Sequence, residues 1–307
     1  MPTPPRRKSF ASSGTHPDLV TRIAVGVDGY GEGRDAAVLG ASLARATGAE
    51  LMLVAIHPDP LVVLPRELGW KGMHRQAEAL LRETRDAVAP AARIDVETDW
   101  SVPRGLERVV AREHRDLLVV GSSRRGPAGH VRIGSGTRQL LYDGRCAVGI
   151  APRGLSGRPA PELKRIGVGY DGGPEARAAL ALAGSIAVGA GATLIVRGVV
   201  DDRLPVVGWS TARDLARTMW DELLEPELAS LREDMETAVR ATGAAAEIEV
   251  LRGAPADALI QLSGHADLVV IGSRRWGAMA RVLLGTTGEA LLHDASCAVL
   301  VVPRAAE

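Results

Sequence analysis

The sequence predicts an α/β protein: two tandem copies of a five-stranded, parallel, doubly wound sheet with helices on both faces. Three observations predict it. First, the chain repeats itself. Arg22-Ile23-Ala24-Val25-Gly26-Val27-Asp28-Gly29 returns as Arg165-Ile166-Gly167-Val168-Gly169-Tyr170-Asp171-Gly172 at an offset of 143. Asp116-Leu117-Leu118-Val119-Val120-Gly121-Ser122 returns as Asp267 to Ser273 at an offset of 151, which Gly134/Gly285, Cys146/Cys297 and Pro152/Pro303 also keep. The second copy therefore carries eight extra residues between its first and fourth strands. A repeat of this length is a whole domain rather than a solenoid unit. Second, short apolar runs alternate with segments of helical spacing, the pattern of a parallel sheet covered by helices. Third, aromatics are only 3% of the 307 residues while hydrophobics are 46%. The core then falls to Val, Leu, Ile and Ala, which suits buried parallel strands.

The first copy opens with an apolar strand at Arg22–Asp28. Asp35–Thr47 follows with apolar residues at helical spacing (Ala36, Leu39, Leu43, Ala46) and a C-cap at Gly48. Glu50–His57 is the second strand. His74–Ala89 reads as a helix stopped by Pro90, and Arg93–Thr98 alternates as the third strand. Pro103–Glu113 begins a helix with Pro in its first turn, where the missing N–H costs nothing. Asp116–Gly121 is the fourth strand, Gly134–Tyr142 a short helix and Ala147–Ala151 the fifth strand. The second copy places strands near Arg165–Asp171, Thr193–Val200, Glu247–Leu251, Asp267–Gly272 and Ala298–Val302. The charge-rich run Arg213 to Arg240 reads as the solvated face of a long helix interrupted at Pro226. These elements divide the chain into a disordered tail at 1–19, a first α/β domain at 20–153, a Gly/Pro-rich linker at 154–163 and a second domain at 164–304.

Composition removes several function classes. Lys+Arg and Asp+Glu are both 37, so no basic surplus points to nucleic acid. No stretch reaches the 18 apolar residues of a membrane span. The tail holds Arg6-Arg7-Lys8-Ser9-Phe10, but the following residues are not apolar, so an export signal is not expected. Cys146 and Cys297 have neither disulfide-framework nor zinc spacing, which points to a reducing, cytoplasmic setting. Both read as small buried hydrophobes. The histidines lack metal spacing.

In an open α/β sheet a ligand sits beyond the carboxyl ends of the strands, where strand order reverses. That directs attention past strands one and four. After strand four come Gly121-Ser122-Ser123-Arg124-Arg125-Gly126 and then Gly134-Ser135-Gly136-Thr137 opening a helix. The second copy has Gly272-Ser273-Arg274-Arg275-Trp276-Gly277 and then Gly285-Thr286-Thr287. A strand, a Gly-containing loop and a helix N-terminus form a phosphate site: glycine admits close approach and free N–H groups face the anion. The bland alternative is that the glycines make turns and Ser135 and Thr286 merely cap helices. At the end of strand one, Asp28 and Asp171 precede Gly and suit ordinary Asx-turn chemistry.

These residues resemble the universal stress protein family, whose motif is Gly, two residues, Gly, nine residues, then Gly-Ser or Gly-Thr. Gly121 to Gly134 and Gly272 to Gly285 both span thirteen positions, and Gly134-Ser135 and Gly285-Thr286 close the motif. Asp28 and Asp171 match the family's Asp at the end of strand one. Cys146 to Pro152 and Cys297 to Pro303 look like its last strand. The resemblance covers both halves and implies a Rossmann-like, adenine nucleotide alpha hydrolase-like sheet that binds ATP or AMP, with Mg as a companion ion and with either domain able to lack nucleotide. It implies that Asp28 and Asp171 contact the ribose, that the adjacent Val27 and Tyr170 also belong to the nucleotide site, and that Ile56 and Val199 line the adenine pocket. Phosphates would fall to Gly121, Ser122, Gly126, Gly134, Ser135 and Gly136, and to Gly272, Ser273, Gly277, Gly285, Thr286 and Thr287. The family's second Gly is replaced by Arg124 and Arg275, with Gly126 and Gly277 two residues later. An arginine there either takes the place of a backbone contact or lies in the nucleotide's path.

The sequence has no Walker A motif, no Gly-x-Gly-x-x-Gly after strand one and no Ser-Gly-Gly-x-Asp-Ser loop. No general base pairs with a nucleophile. A nucleotide-binding regulator of the stress response is therefore expected, with at most slow ATP hydrolysis. The alternative is a scaffold of the same fold that works without nucleotide through protein contacts. In the family the last strands pair across a two-fold axis, which implies an intramolecular pseudo-dimer here; a homodimer of chains is also expected.

Overall fold

The computed structural model describes residues 20–57, 66–143, 146–159, 161–202, 213–276, 281–283 and 285–303. The tail expected at 1–19 lies outside them. The first half contains β1 (Arg22–Gly26), α1 (Gly31–Thr47), β2 (Glu50–His57), α2 (Arg66–Val88), β3 (Arg93–Thr98), α3 (Val102–Arg112), β4 (Leu117–Gly121), α4 (Ser135–Asp143) and β5 (Ala147–Ala151). The second contains β6 (Arg165–Tyr170), α5 (Pro174–Ala190), β7 (Thr193–Val200), α6 (Arg213–Thr242), β8 (Ala246–Arg252), α7 (Pro255–Ser263) and β9 (Leu268–Gly272). It ends with a small hairpin of β10 (Arg274–Trp276) and β11 (Arg281–Leu283), then α8 (Thr286–Asp294) and β12 (Ala298–Val302).

One ten-stranded sheet runs through both halves in the order β3-β2-β1-β4-β5-β12-β9-β6-β7-β8. Within each half all neighbours are parallel, with Ile23 beside Leu51 and Leu117 and Ile166 beside Leu194 and Leu268. The halves meet where β5 pairs antiparallel with β12, Val299 beside Ile150 and Val301 beside Val148. The strands are apolar on both faces, so two cores form. One packs α1, α2, α5 and α6 on one face around Ile23, Leu39, Ile166 and Ile186. The other packs α3, α4, α7 and α8 on the opposite face around Leu106, Ile150, Leu262 and Val299. Each fully buried aliphatic side chain contributes about 1.5–3 kcal/mol, and aromatic bulk is not needed.

Three expectations about elements change. α2 begins two turns before His74. α6 runs unbroken through Pro226. Proline removes one backbone hydrogen bond from a helix, but Pro226 is exposed, so water can serve the freed carbonyl. The β10–β11 hairpin was not foreseen, because three-residue strands carry too little alternation to read.

Contacts across the halves reach beyond the sheet. A Cβ placed on Gly189 would lie 1.8 Å from the Ala46 carbonyl oxygen. These positions are equivalent in the repeat, so α1 and α5 cross at their counterparts, and only glycine lets the backbones approach so closely. Arg138 on α4 pairs with Glu289 on α8 at 2.8 Å, again at equivalent positions. The segment between β4 and α4 also crosses over: Val131 N donates to Ala295 O (2.8 Å) and Ile133 N to Leu292 O (3.3 Å), at the far end of α8. Past β5, the chain is tied down by Asp35 of α1. Its buried carboxylate accepts from Gly154 N (2.6 Å) and Ser156 N (2.7 Å), flanking the 3₁₀ turn Leu155–Gly157.

Candidate functional site

Each half has a cleft at the carboxyl ends of its strands, between β1 and β4 or between β6 and β9, where strand order reverses. In the first half the cavity is about 420 Å³. Its floor is apolar: Val54 and Ile56 of β2, Leu106 of α3, and Val102 and Pro103 at the start of α3. One rim carries Val27, Asp28 and Glu32; the other carries Gly121, Ser122, Arg124, Gly134, Ser135 and Gly136. The expected residues of the first copy thus converge on one cavity, except Gly126. Gly126 is buried in the loop, where a Cβ would lie 2.8 Å from the Arg132 Cβ; its role is to turn the loop tightly.

The first-half loop is held by its own groups. Ser122 is buried, and its hydroxyl accepts from Arg132 N (2.6 Å) and donates to Arg132 O (3.0 Å). Ser123 N also donates to Arg132 O, at 2.6 Å. Ser122 therefore fixes the loop, and its proton is not directed at a phosphate. Gly121 is glycine for packing: its Cβ would lie 2.3 Å from the Glu32 carbonyl oxygen, and Gly272 meets Glu175 in the same way at 2.5 Å. Gly134 has open space on its Cβ side, with nothing nearer than 3.9 Å.

The helix starts differ from the capping expectation. The residue before α8 is Gly285, in extended conformation with no side-chain cap, and Glu289 N bonds its carbonyl at 3.0 Å. Arg138 N bonds Gly134 O likewise. Ser135 and Thr286 are first helical residues rather than caps. With glycine at the cap, no side chain stands between the first N–H groups and the cleft.

Asp28 and Asp171 are exposed, not buried, so no desolvation cost demands a partner. Asp28 Oδ1 accepts from Tyr30 N (3.1 Å) and Asp171 Oδ1 from Gly173 N (3.0 Å), the Asx-turn geometry. Each carboxylate still lines its cleft. Gly33 permits this: a Cβ there would lie 2.6 Å from Asp28 Oδ1.

The second cleft is smaller, about 230 Å³. Tyr170, Asp171, Val199, Gly272, Gly285, Thr286 and Thr287 line it. Its floor contains Arg197, the repeat counterpart of Val54: Gly169 sits beside Arg197 in the sheet as Gly26 sits beside Val54. The Arg197 guanidinium binds Glu249 through Nε (2.8 Å) and Nη2 (2.5 Å) and the Ala258 carbonyl through Nη1 (2.7 Å). This pair places charge and bulk where the first half keeps aliphatic surface. Tyr170 is buried and its hydroxyl donates to Asp234 on α6 at 2.7 Å, where Arg177 also binds. The bonds from Tyr170 and then Arg177 hold the Asp234 carboxyl below its ordinary range, and burial, then Asp234, raises the Tyr170 phenol. Ser273 is buried beyond the cleft lining. Arg275 lies on β10, and Gly277 lies outside the described residues.

Sequence reasoning missed Val54, Val102, Pro103 and Leu106 in the floor of the first cleft and Arg197 in that of the second. Arg197 was discoverable, being the single charge in the apolar run Thr193–Val200. Cys146 and Cys297 lie away from both clefts, and burial pushes both thiols up to about 12; they are not reactive thiolates. Among the described residues no His/Cys/Asp/Glu cluster could hold a metal, and no helix is long and apolar enough to cross a membrane.

Comparison with known proteins matches this architecture. The profile of the Universal stress protein family fits twice, over residues 20–152 and 162–303. A universal stress protein of Mycobacterium tuberculosis (strain ATCC 25618 / H37Rv) is 29% identical over 294 residues, 91% of this chain and 96% of that protein. A shorter one from Thermus aquaticus is 32% identical over 143 residues, 46% of this chain and 98% of its own. Among solved structures, a universal stress protein from Archaeoglobus fulgidus DSM 4304 superposes with TM-score 0.66 at 19% identity, covering 92% of this chain and 98% of its own. A functionally unknown Pseudomonas aeruginosa PAO1 protein gives 0.62 at 18% identity, covering 94% of each chain. With the fold shared and the family profile matched in both halves, the chain belongs to the universal stress protein family.

Proposed function

We propose that this protein is an adenine-nucleotide-binding regulator that takes ATP or AMP, with Mg as a companion ion, in its first half. One observation carries the reading: the first cleft joins an aliphatic floor, a rim carboxylate and a glycine-capped helix N-terminus within about 420 Å³. That volume lies within the range of small-molecule sites, about 300–1,000 Å³. Adenine would lie against Val54, Ile56 and Leu106, the ribose hydroxyls would donate to Asp28, and phosphate would face the first N–H groups of α4. The second cleft, at about 230 Å³, falls below that range, and its Arg197–Glu249 pair obstructs the equivalent base position. No activated nucleophile or general base stands over the α4 terminus among the described residues, so occupancy rather than turnover is the proposed signal.

Under this proposal the β5–β12 pairing makes the chain an internal pseudo-dimer, chains associate further as homodimers, and the protein works in the cytoplasm. The test is the nucleotide content of purified, denatured protein, followed by calorimetric titration with ATP and AMP. About one equivalent per chain, lost in Gly134→Asp and kept in Gly285→Asp, supports the first-half site. Two equivalents would overturn the asymmetry. No bound nucleotide and no heat would favour the alternative of a scaffold acting through protein contacts, for which Arg197 in the second cleft already speaks.

A further inference from the structure

Arg124 is where the chain departs from the family's glycine, and its side chain stands on the rim of the first cleft, over Tyr30. Its guanidinium carbon lies 3.9 Å from the centre of the Tyr30 ring, a cation–π stack. Tyr30 is 54% exposed and follows Asp28 by two residues on the loop between β1 and α1. Arg124 follows Gly121 by three on the loop after β4. The stack therefore joins the two loops that flank the cleft, across its mouth and at its phosphate end. The Arg124 guanidinium has no ion-pair partner among the described carboxylates. Two acids line the cleft: Asp28 accepts from Tyr30 N at 3.1 Å, and Glu32 faces Arg153 at 3.5 Å. In the second half the position equivalent to Tyr30 is Gly173, which has no ring to stack on.

We infer that Arg124, held by Tyr30, reads the number of phosphates and makes the first site select ATP over AMP. This rests on the nucleotide reading above. An α-phosphate at the α4 N-terminus is served by backbone N–H groups and the helix dipole. Phosphates beyond it must leave between the two loops that the clasp joins. There the guanidinium offers planar, paired donors that match a phosphate's oxygens. The Tyr30 ring keeps that guanidinium at the mouth and out of the base pocket, so the substitution for glycine adds a charge without blocking the floor. A triphosphate gains this contact; adenosine and AMP do not.

The test is calorimetric titration of the full chain and its Arg124→Ala, Arg124→Lys and Tyr30→Phe variants with ATP, AMP, adenosine and inorganic tripolyphosphate. Arg124 and Tyr30 are exposed, and thermal melting checks that each variant is folded. In Arg124→Ala, ATP affinity is expected to fall about 10- to 100-fold, with adenosine and AMP unchanged. Arg124→Lys should fall between, since a point charge replaces the fork, and Tyr30→Phe should keep the wild-type ratio. Equal losses for ATP and adenosine, or no loss for ATP, would overturn the inference while leaving the nucleotide site standing. A wild-type chain that ignores adenosine and AMP, yet binds tripolyphosphate in an Arg124-dependent way, would sink the adenine reading and keep the phosphate contact. A chain that binds none of the four overturns both.

Discussion

The two halves share strand order, helix order and the glycine before α4 or α8, yet at one floor position their clefts differ in charge. Val54 keeps the first floor aliphatic; Arg197 fills the second and is locked there by Glu249 and the Ala258 carbonyl. The frame of the second cleft is thus kept around a floor that carries a charged pair in place of aliphatic surface. Fold and ligand site are separable properties: sheet packing preserves one, and a few inward-facing side chains decide the other.

The comparison breaks most sharply by transplanting the residue. Val54→Arg should lower adenine-nucleotide affinity by about 100-fold or more in calorimetry, because the side chain occupies the base position. The reverse change, Arg197→Val, should open the second cleft and raise stoichiometry from about one to about two per chain, at weaker affinity than the first site; unchanged stoichiometry would show that Arg197 is not the obstruction. Where the halves are alike, they should respond alike. Gly121→Ala and Gly272→Ala each drive a Cβ into the first turn of the helix that follows the first strand of its half, at Glu32 of α1 and Glu175 of α5. Each should cost about 1–3 kcal/mol in chemical denaturation.

How much of this was readable in the sequence follows from what each feature depends on. The strands were legible because buried parallel strands are continuous apolar runs, and the repeat offset supplied each a second witness. The convergence of Asp28, Gly121 and Gly134 was legible from spacing alone. For Asp28 and Asp171 the sequence left an Asx turn and a ribose contact both open, and the exposed carboxylates make the turn while lining the rim. Ser122 was taken for a ligand group but closes its own loop, a role set by where residue 132 returns, ten positions later. Arg197 itself was visible in the sequence, but its anchoring by Glu249 and the Ala258 carbonyl joins residues 52 and 61 positions apart, which no local pattern encodes.

Two smaller effects sharpen the contrast. The thiols sit at equivalent positions and both are raised to about 12. Both should resist alkylation in the native chain at about pH 8 and react at once after denaturation; selective labelling of one would show that the halves open unequally. The Arg177–Asp234 pair has a counterpart in the first half, Arg34–Glu83 at 2.9 Å, but there Val27 stands where Tyr170 adds its hydroxyl. Asp234 has a lowered folded value, so its contribution is present above its ordinary value of 3.8 and is lost as pH falls through the folded one. Hydrogen exchange of β6 and α6 should therefore rise modestly below about pH 4, and Asp234→Asn should remove that dependence.

The Arg138–Glu289 contact has a consequence for the history of the duplication. One position of the ancestral repeat now holds a cation in one copy and an anion in the other, and the two meet at the seam. Two first halves would bring guanidinium against guanidinium, and two second halves carboxylate against carboxylate. The pair is exposed, so the preference is worth about 1 kcal/mol or less: a bias toward joining unlike halves rather than a bar to joining like ones.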